Sequence, residues 1–314
     1  MLNVSTARRI GGRLWPGTWN LETREQWLGF FIFLPVLIFF VIFFAYPLVF
    51  GIGLSFYKLN TITLHGPYVG LKNFTTLLSS SDFRNAVKNS VYWSVGGIVG
   101  ETVIGMCVAL LLNERFPGRN IARGLVLSPY LMPTVVAVAI CRWMFNAQYG
   151  IINYTLLRMG FTAVPIAWLG SITWAMPTAI ALSIWKSFPF IVIALLARLQ
   201  TIPEALYSAA KVDGASAWDR FKDVTLPNLR GVLIVVVLLR FIFDFNDFTM
   251  ISLLTGGGPL QKTETLPLLV YRQMFGRFNA GAAASVAVVM LVILAVVALI
   301  YLRVVGAGRQ EEAA

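Results

Sequence analysis

Charged side chains interrupt stretches of this sequence that are otherwise apolar over about 20 residues, the length of a membrane-crossing helix. Arg240, Asp244 and Asp247 are spaced by four and then three residues, so they share one helix face, and Asn246 points elsewhere. Ionisable groups inside a membrane span are costly and usually functional. Two kinds of chemistry are open to this strip. It forms an internal Arg240–Asp244 ion pair that locks the bundle, it lines a water-filled cavity where carboxylates accept hydrogen bonds from solute hydroxyl groups, or it does both.

Two further apolar stretches each hold one charge. Lys186 lies beside Trp185, whose ring face suits stacking on a sugar ring, although tryptophans in membrane proteins more often pack or lie at the interface. Glu101 is expected to pair with Lys186 or to face a second membrane subunit. The predicted solute pathway therefore consists of Glu101, Trp185, Lys186, Arg240, Asp244, Asn246 and Asp247.

No motif for covalent chemistry or metal binding accompanies these charges. The sequence has a single histidine and no cluster of His, Cys and carboxylates with ligand spacing. The stretch GGGPLQKT, residues 256–263, imitates a phosphate-binding loop, but Gln261 occupies the place of its second glycine. We therefore predict no catalytic residue, no metal and no cofactor in this chain. If ATP drives the protein, a separate subunit must bind ATP and magnesium.

One segment between two apolar stretches is compact and highly charged: IPEALYSAAKVDGASAWDRFKDVTLPNLRG, residues 202–231. Pro203 suits a first helical position, because its missing N–H needs no intrahelical partner, and Glu204 complements the helix dipole. Asp213-Gly214 is a turn signal, since glycine readily takes a positive φ. The segment is therefore predicted to begin with a short helix over Ala205–Lys211 and then to turn.

A second short helix should follow the turn. Ser216 with Asp219 three residues later resembles a capping box with Asp in place of Glu. This helix is expected to run through Asp223 and to stop before Pro227, because the residue preceding a proline avoids the α region. The resulting elbow is either a solvated connector or a docking knob. Local features alone favour the connector, whereas small residues and aromatic anchors at positions 207, 218 and 221 are what a docking knob would use.

The elements that position these residues follow from composition. Of 314 residues, 58% are hydrophobic and 12% are charged, against about 25% charged in a soluble domain, so the chain is an integral membrane protein. The basic residues behind the net charge of +11 lie in the gaps between apolar stretches rather than in one nucleic-acid-binding patch. The stretches are too continuous for a membrane barrel. We predict six transmembrane helices: 28–54, 90–112, 122–140, 168–197, 232–254 and 282–302.

Lysine and arginine then set the orientation. Fourteen fall in the gaps on the side of both termini and nine in the gaps on the other side, which places both termini and the elbow in the cytoplasm. The predicted organisation is a cytoplasmic segment 1–27, a six-helix domain 28–305 with a cytoplasmic loop 200–230 and an extracytoplasmic loop 255–281, and a cytoplasmic tail 306–314.

The elbow resembles the signature loop of binding-protein-dependent ABC importer permeases, whose pattern is EAA, two residues, DGA, a phenylalanine and then LP. The matching residues here are Ser208-Ala209-Ala210, Asp213-Gly214-Ala215, Phe221 and Leu226-Pro227, with Ser208 in place of the family's glutamate. Residues 253–275 and 68–74 are similar to loops of the carbohydrate branch, in particular the maltose-type F and glycerol-3-phosphate-type A subunits.

This resemblance implies the type I ABC importer permease fold: an all-α membrane protein whose cytoplasmic helix-turn-helix is a coupling helix seated on an ATPase. The coupling residues it implies are Glu204, Tyr207, Ser208, Ala209, Ala210, Asp213, Gly214, Ala215, Phe221, Leu226 and Pro227. It also implies a second permease, an ATPase dimer and an extracytoplasmic binding protein as partners in a bacterial inner membrane. The expected function is ATP-driven import of a sugar or related polyhydroxylated solute. A phosphorylated polyol such as glycerol-3-phosphate, a passive channel and a membrane enzyme are the alternatives.

Overall fold

The computed structural model describes the backbone of residues 21–63 and 65–311 and the side chains of residues 29–63 and 65–303. Within these ranges the chain is helical, and its only β pairings are two isolated bridges, Tyr57 with Tyr68 and Asn60 with Asn279. Most of the predicted N-terminal segment 1–27, the basic residues at its start and the tail 306–314 lie outside the residues whose side chains are described. Their assignment to the cytoplasm stays a prediction.

Fourteen α-helices follow one another in the described chain: α1 (Leu21–Phe40), α2 (Tyr46–Leu54), α3 (Lys72–Ser79), α4 (Ser81–Asn113), α5 (Arg119–Leu131), α6 (Thr134–Met144), α7 (Ile151–Arg158), α8 (Ala175–Leu199), α9 (Glu204–Val212), α10 (Ala217–Arg220), α11 (Leu226–Phe245), α12 (Thr249–Leu254), α13 (Leu266–Tyr271) and α14 (Ala280–Glu311). Three π-helical turns join neighbouring helices: Val41–Ala45, Phe221–Thr225 and Arg272–Gly276.

The chain divides into two compact units between Gly51 and Ile52. The first unit is built on α1 and the π-helical turn after it. Its phenylalanines are exposed, for example Phe33 at 55% and Phe44 at 59%, and several contact one another along the helix, as Phe39 and Phe43 do at 4.6 Å between ring centroids. Exposed aromatic side chains on a helical stretch that carries no charge from residue 28 onward suit a lipid environment.

The six-helix prediction is confirmed if one bent pair is counted as a single span. Among the described residues, five helical stretches are long and apolar enough to cross a membrane: Gly29–Leu54, Ser81–Asn113, Ala175–Leu199, Ala217–Phe245 and Ala280–Arg303. The sixth is the pair α5 and α6, which meet at an angle of 94°.

The break in the predicted third span lies between Met132 and Pro133. Met132 is extended (φ −70°, ψ 132°), as expected for a residue before proline, and α6 begins directly after Pro133. The bounds of the fourth and fifth spans also differ from the predicted ones. α8 begins only at Ala175, and the fifth helical stretch starts earlier than expected, at Ala217, and ends at Phe245, four residues before α12 begins at Thr249.

The second unit is organised by close packing of α4 against α8. A Cβ atom at Gly105 would lie 2.8 Å from Cβ of Ile191, which is fully buried, and one at Gly100 would overlap the side chain of Ile184. Small residues let membrane helices approach closely, because the gain there is van der Waals contact rather than exclusion of water. The glycines of α4 therefore determine where α8 crosses, and α11 packs against both helices.

Candidate functional site

A buried ionic cluster joins α4 to α11. Arg240 on α11 donates two hydrogen bonds to Glu101 on α4, from Nε to Oε2 at 2.7 Å and from Nη2 to Oε1 at 3.0 Å. The same Nη2 donates to Oδ1 of Asp244, one turn later on α11. Glu101 is fully buried, and Arg240 and Asp244 are 7% and 3% exposed. One guanidinium therefore holds two carboxylates in the helix core.

The surroundings of the cluster are shaped for it. Trp93 on α4 donates from its indole Nε1 to the backbone carbonyl of Asp244 at 3.0 Å. Gly97, one turn before Glu101, leaves open the space beside the second carboxylate, since a Cβ there would lie 3.4 Å from Oδ2 of Asp244. That Oδ2 atom is buried and accepts no hydrogen bond from the described residues.

The structure shows which ion pairs these charges form, and a role of the strip in lining a solute cavity stays a prediction. The internal Arg240–Asp244 pair exists, and the partner of Glu101 is Arg240, so the expected pairing of Glu101 with Lys186 is wrong. Asp247 lies beyond the end of α11, where its Oδ1 accepts from the backbone N–H of Met250 in the first turn of α12.

Two of the other predicted pathway residues, Asn246 and Trp185, are exposed side chains. The amide of Asn246 donates back to the carbonyl of Ile242, and the residue is exposed. Trp185 is 40% exposed. The structure thus joins three of the seven predicted pathway residues, Glu101, Arg240 and Asp244, by hydrogen bonds.

Lys186 is bonded to the break in the third span. Its Nζ donates to the backbone carbonyl of Met132 at 3.0 Å. Met132 caps the carboxyl end of α5, where unpaired carbonyls give the helix dipole its negative pole. The half-buried ammonium group of Lys186 on α8 therefore stabilises the carboxyl end of α5, where the third span breaks.

The charged elbow, residues 204–225, has the predicted first half. α9 covers Glu204–Val212. Pro203 was predicted at the first helical position and is instead the N-cap, the position just before it. Gly214 has φ +81°, and the N–H of Ala215 reaches back to the carbonyl of Ala210 at 2.9 Å. A glycine in the left-handed region is a common way to end a helix.

The predicted capping box is present. Ser216 Oγ accepts from the backbone N–H of Asp219 at 3.2 Å, and Asp219 Oδ2 accepts from the backbone N–H of Ser216 at 2.9 Å. Two more bonds brace the elbow. Arg220 Nη1 donates to the carbonyl of Ala215 at 2.8 Å, and the hydroxyl groups of Tyr207 and Thr225 lie 3.1 Å apart. The two arms therefore form one rigid piece.

The expectation that the second helix stops before Pro227 is wrong. α10 continues through the π-helical turn Phe221–Thr225 into α11, where Pro227 lies in the first turn. In this wider turn the N–H of Leu226 donates to the carbonyl of Phe221. The hydrogen-bond register of the helix has therefore already shifted when the chain reaches Pro227, which has no N–H to donate. Helical structure consequently runs unbroken from Ala217 to Phe245 and joins the elbow to the ionic cluster.

The elbow exposes apolar side chains that the sequence did not single out. Val212 is 88% exposed and Leu206 is 44% exposed, beside Trp218 at 69%. Glu204, Ser208 and the other residues of the signature loop are mostly exposed as well, whereas Tyr207 and Phe221 are half-buried. Exposed large apolar side chains on one compact segment are expected where a partner protein docks.

The opposite end of α11 leads into a second feature that the sequence did not predict as a site. Residues 252–276 enclose a cavity of about 690 Å³. Glu264 lies in it, 2% exposed, and its Oε1 is 2.9 Å from Nε of Arg272. Burial raises the pKa of Glu264 to about 7, while the charge of Arg272 opposes that shift.

In the described part of the chain, five long apolar helices with a bent pair as the sixth span, an ionic cluster joining α4 to α11 and an exposed helical elbow between α8 and α11 are the features of a multi-pass membrane permease. The chain belongs to the family of binding-protein-dependent transport system inner membrane components, whose model matches residues 101–307. This family supplies the permease subunits of ABC transporters, and the matched range includes both the ionic cluster and the elbow.

Relatives of known designation extend over nearly the whole chain. The chain is 37% identical over 277 residues to the trehalose/maltose transport system permease protein MalF of Thermococcus litoralis, covering 88% of this chain and 93% of that one. It is 32% identical over 289 residues to the diacetylchitobiose uptake system permease DasB of Streptomyces coelicolor, covering 90% and 88%. Among solved structures, a bacterial ABC transporter that imports the acidic polysaccharide alginate matches with a TM-score of 0.77 and 26% identity, covering 90% of this chain and 97% of that chain. These matches confirm the predicted fold class.

Proposed function

We propose that this chain is one permease of an ATP-driven importer that carries a saccharide across the cytoplasmic membrane. The relatives named above are designated for trehalose, maltose and diacetylchitobiose transport, and the structural neighbour imports alginate. All of these solutes are polyhydroxylated rings. The proposed partners are a second permease, an ATPase dimer that binds ATP and magnesium, and an extracytoplasmic binding protein. Both termini and the elbow lie in the cytoplasm.

The observation that carries this proposal is the exposed, internally braced elbow. A connector that only crossed the membrane surface would not need a capping box, a left-handed glycine and cross-bonds to hold its two arms together. In the proposed mechanism, closure of the ATPase dimer moves the elbow. The unbroken helix from Ala217 to Phe245 transmits this motion to Arg240, and the ionic cluster passes it to α4. The spans then rock as rigid bodies between inward-open and outward-open states.

Site-directed cross-linking tests the docking step. In a variant whose two native cysteines are alanine, Val212→Cys is expected to cross-link to cysteines placed in the cleft of the co-expressed ATPase, because Val212 is the most exposed apolar side chain of the elbow. The matched control is Lys262→Cys, an exposed position beyond the other end of α11, which should give no cross-link. Cross-linking at Lys262 in place of Val212 would reverse the proposed orientation.

Lys186 and Trp185 are the proposed contacts of the solute within the membrane. Lys186 is half-buried at the break between α5 and α6, and Trp185 beside it is 40% exposed. Discontinuous membrane helices often line solute sites, because their ends offer unpaired backbone groups.

Lys186→Met is expected to lower saccharide uptake by about tenfold or more, since a hydrogen bond from a charged group is worth about 1.5–3 kcal/mol. Lys186→Arg, which keeps the donor, should retain more of the uptake. Uptake is measured in proteoliposomes alongside the thermal midpoint of the purified transporter. If uptake and thermal midpoint fall together and equally in both variants, Lys186 only supports the broken span.

The dependence of saccharide flux on ATP hydrolysis distinguishes the proposed importer from a passive channel. Saccharide flux should stop when the partner ATPase carries a substitution that prevents hydrolysis. Flux that persists in that background identifies a channel instead of an importer.

A further inference from the structure

One arginine joins the elbow ends of α8 and α11. Arg198 lies in the last turn of α8, and its Nε donates to the backbone carbonyl of Asn228 in the first turn of α11 at 3.0 Å. Its Nη1 donates to Oγ1 of Thr201 at 3.1 Å, and that hydroxyl donates to the backbone carbonyl of Arg198 at 2.8 Å. A cation in the last turn also complements the helix dipole. Arg198 therefore ties α8 both to α11 and to the turn that leads into the elbow.

A second hydrogen bond closes the root of the elbow. The hydroxyl groups of Tyr207 on α9 and Thr225 in the π-helical turn lie 3.1 Å apart. Thr225 is 4% exposed, and its Oγ1 donates to the carbonyl of Arg220 at 3.3 Å. Because a hydroxyl group has only one proton to donate, Tyr207 is the donor to Thr225. This pair of bonds holds α9 against the turn that joins α10 to α11.

An apolar cluster lies at the same root. Leu199, Ile202 and Leu229 are 3%, 8% and 0% exposed and belong to one buried cluster, against which Tyr207 and Val224 pack. The cluster also includes residues of α4. Closely packed interiors have low compressibility and transmit displacement. The root of the elbow and the adjoining ends of α8 and α11 are therefore expected to move together.

α8 leads from this root to the break in the third span. Lys186 lies on the same helix twelve residues before Arg198, about 18 Å along the axis at 1.5 Å per residue. Its ammonium group binds the carbonyl of Met132 at the break. The route through α11 and Arg240 reaches α4, whereas the route through α8 reaches the proposed solute contact itself.

We propose that Arg198 and Thr225 are positioning residues that clasp the elbow to α8, so that movement of the ATPase reaches Lys186 directly. Arg198 fixes the ends of α8 and α11 to each other, and Thr225 fixes α9 to the start of α11. Without the clasp the elbow still docks, because its exposed side chains are unchanged, but its movement turns α8 less. The inference rests on the proposed function, since it requires an ATPase that moves the elbow.

The number of saccharide molecules imported per ATP hydrolysed tests the clasp. In proteoliposomes that hold the whole transporter, Arg198→Met and Thr225→Val should each lower this ratio by about three- to tenfold, the effect of losing one hydrogen bond. The rate of ATP hydrolysis and the thermal midpoint should stay close to those of the unsubstituted transporter. Thr225→Ser keeps the hydroxyl and should keep the ratio. Arg230→Met is the matched control, because Arg230 is an exposed basic residue near the same end of α11 and should leave the ratio unchanged.

A double variant shows whether the two hydroxyl groups act as a pair. Tyr207→Phe/Thr225→Val should have the same ratio as Thr225→Val alone, because both substitutions remove one shared bond. An unchanged ratio in Arg198→Met and Thr225→Val would show that the clasp transmits nothing, and the proposal is then wrong. Equal losses of uptake, ATP hydrolysis and thermal midpoint would assign both residues to folding alone and also overturn it.

The unsubstituted transporter separates this proposal from the proposed function. If it imports no saccharide with ATP, the importer and the clasp fail together. If it imports saccharide normally and the variants keep its ratio, only the clasp fails.

Discussion

Arg240→Met is expected to destabilise this permease by about 3–5 kcal/mol, the cost of breaking a buried ion pair by removing one partner. The substitution leaves Glu101 and Asp244 as two buried carboxylates without a counter-ion. The measurement is the thermal midpoint of the detergent-purified protein, together with the yield of folded protein. Arg230→Met on the same helix is the matched control, because Arg230 is exposed and should change the midpoint little.

A charge-neutral variant keeps this prediction testable if Arg240→Met does not fold. The triple variant Arg240→Met/Glu101→Met/Asp244→Leu removes all three charges at once and should recover most of the stability, since replacing a whole buried ion cluster by hydrophobic residues of similar volume is often neutral or stabilising. If Arg240→Met is as stable as the control, the carboxylates are not held by that arginine and the cluster does not join α4 to α11. A triple variant no better than the single one would mean that packing, not charge, carries the effect.

Gly214→Val is expected to lower ATP-dependent uptake by at least about tenfold while the protein still inserts into the membrane. Gly214 has φ +81°, where an L-residue costs roughly 1–2 kcal/mol and a β-branched one more, and a factor of ten corresponds to about 1.4 kcal/mol. Strain at this turn moves α9 relative to α10 and so changes the surface offered to the ATPase. Uptake is measured with the fully assembled transporter, and insertion is measured by the amount of protein in the membrane fraction.

Gly118→Val provides the matched control, because Gly118 also has a positive φ, +83°, with open space around it, and lies in a different loop on the same predicted side. The control should transport nearly normally. Normal uptake by Gly214→Val would refute the docking role of the elbow, and equal loss in both variants would assign the effect to strain in general.

These two predictions concern the two ends of one helical segment. The elbow continues without interruption into α11, and α11 carries Arg240 about four turns later. Because Arg240 binds Glu101 on α4, a displacement of the elbow has a covalent and ionic route into the packed pair of α4 and α8. A stiff route of this kind suits rigid-body motion of spans better than local bending.

Features governed by local rules were predictable from the amino-acid sequence. Continuous apolar stretches between basic gaps predicted the spans, and five of them are single long helical stretches. The turn at Gly214 and the capping box of Ser216 and Asp219 were also predicted, because both depend on residues within a few positions of one another. The signature loop predicted the family, which the match over residues 101–307 confirms.

Features that depend on distant residues were not predictable. Glu101 and Arg240 are 139 positions apart, and only the crossing of α4 and α11 brings them together, so the expected pairing with Lys186 was wrong. Lys186 instead binds the carbonyl of Met132, which is left without an intrahelical partner by the 94° bend of the third span. The helix continued past Pro227 because a π-helical turn had already shifted the hydrogen bonding there.

The amino-acid sequence by itself thus determined where the membrane spans lie, how the elbow is capped and which family the chain joins, because apolar stretches and caps are properties of neighbouring residues. Tertiary structure alone decided which carboxylate holds Arg240, where the third span breaks and that residues 252–276 close around Glu264. These outcomes depend on how closely helices approach, and that approach is set by pairs such as Gly105 and Ile191, whose contact no local pattern encodes.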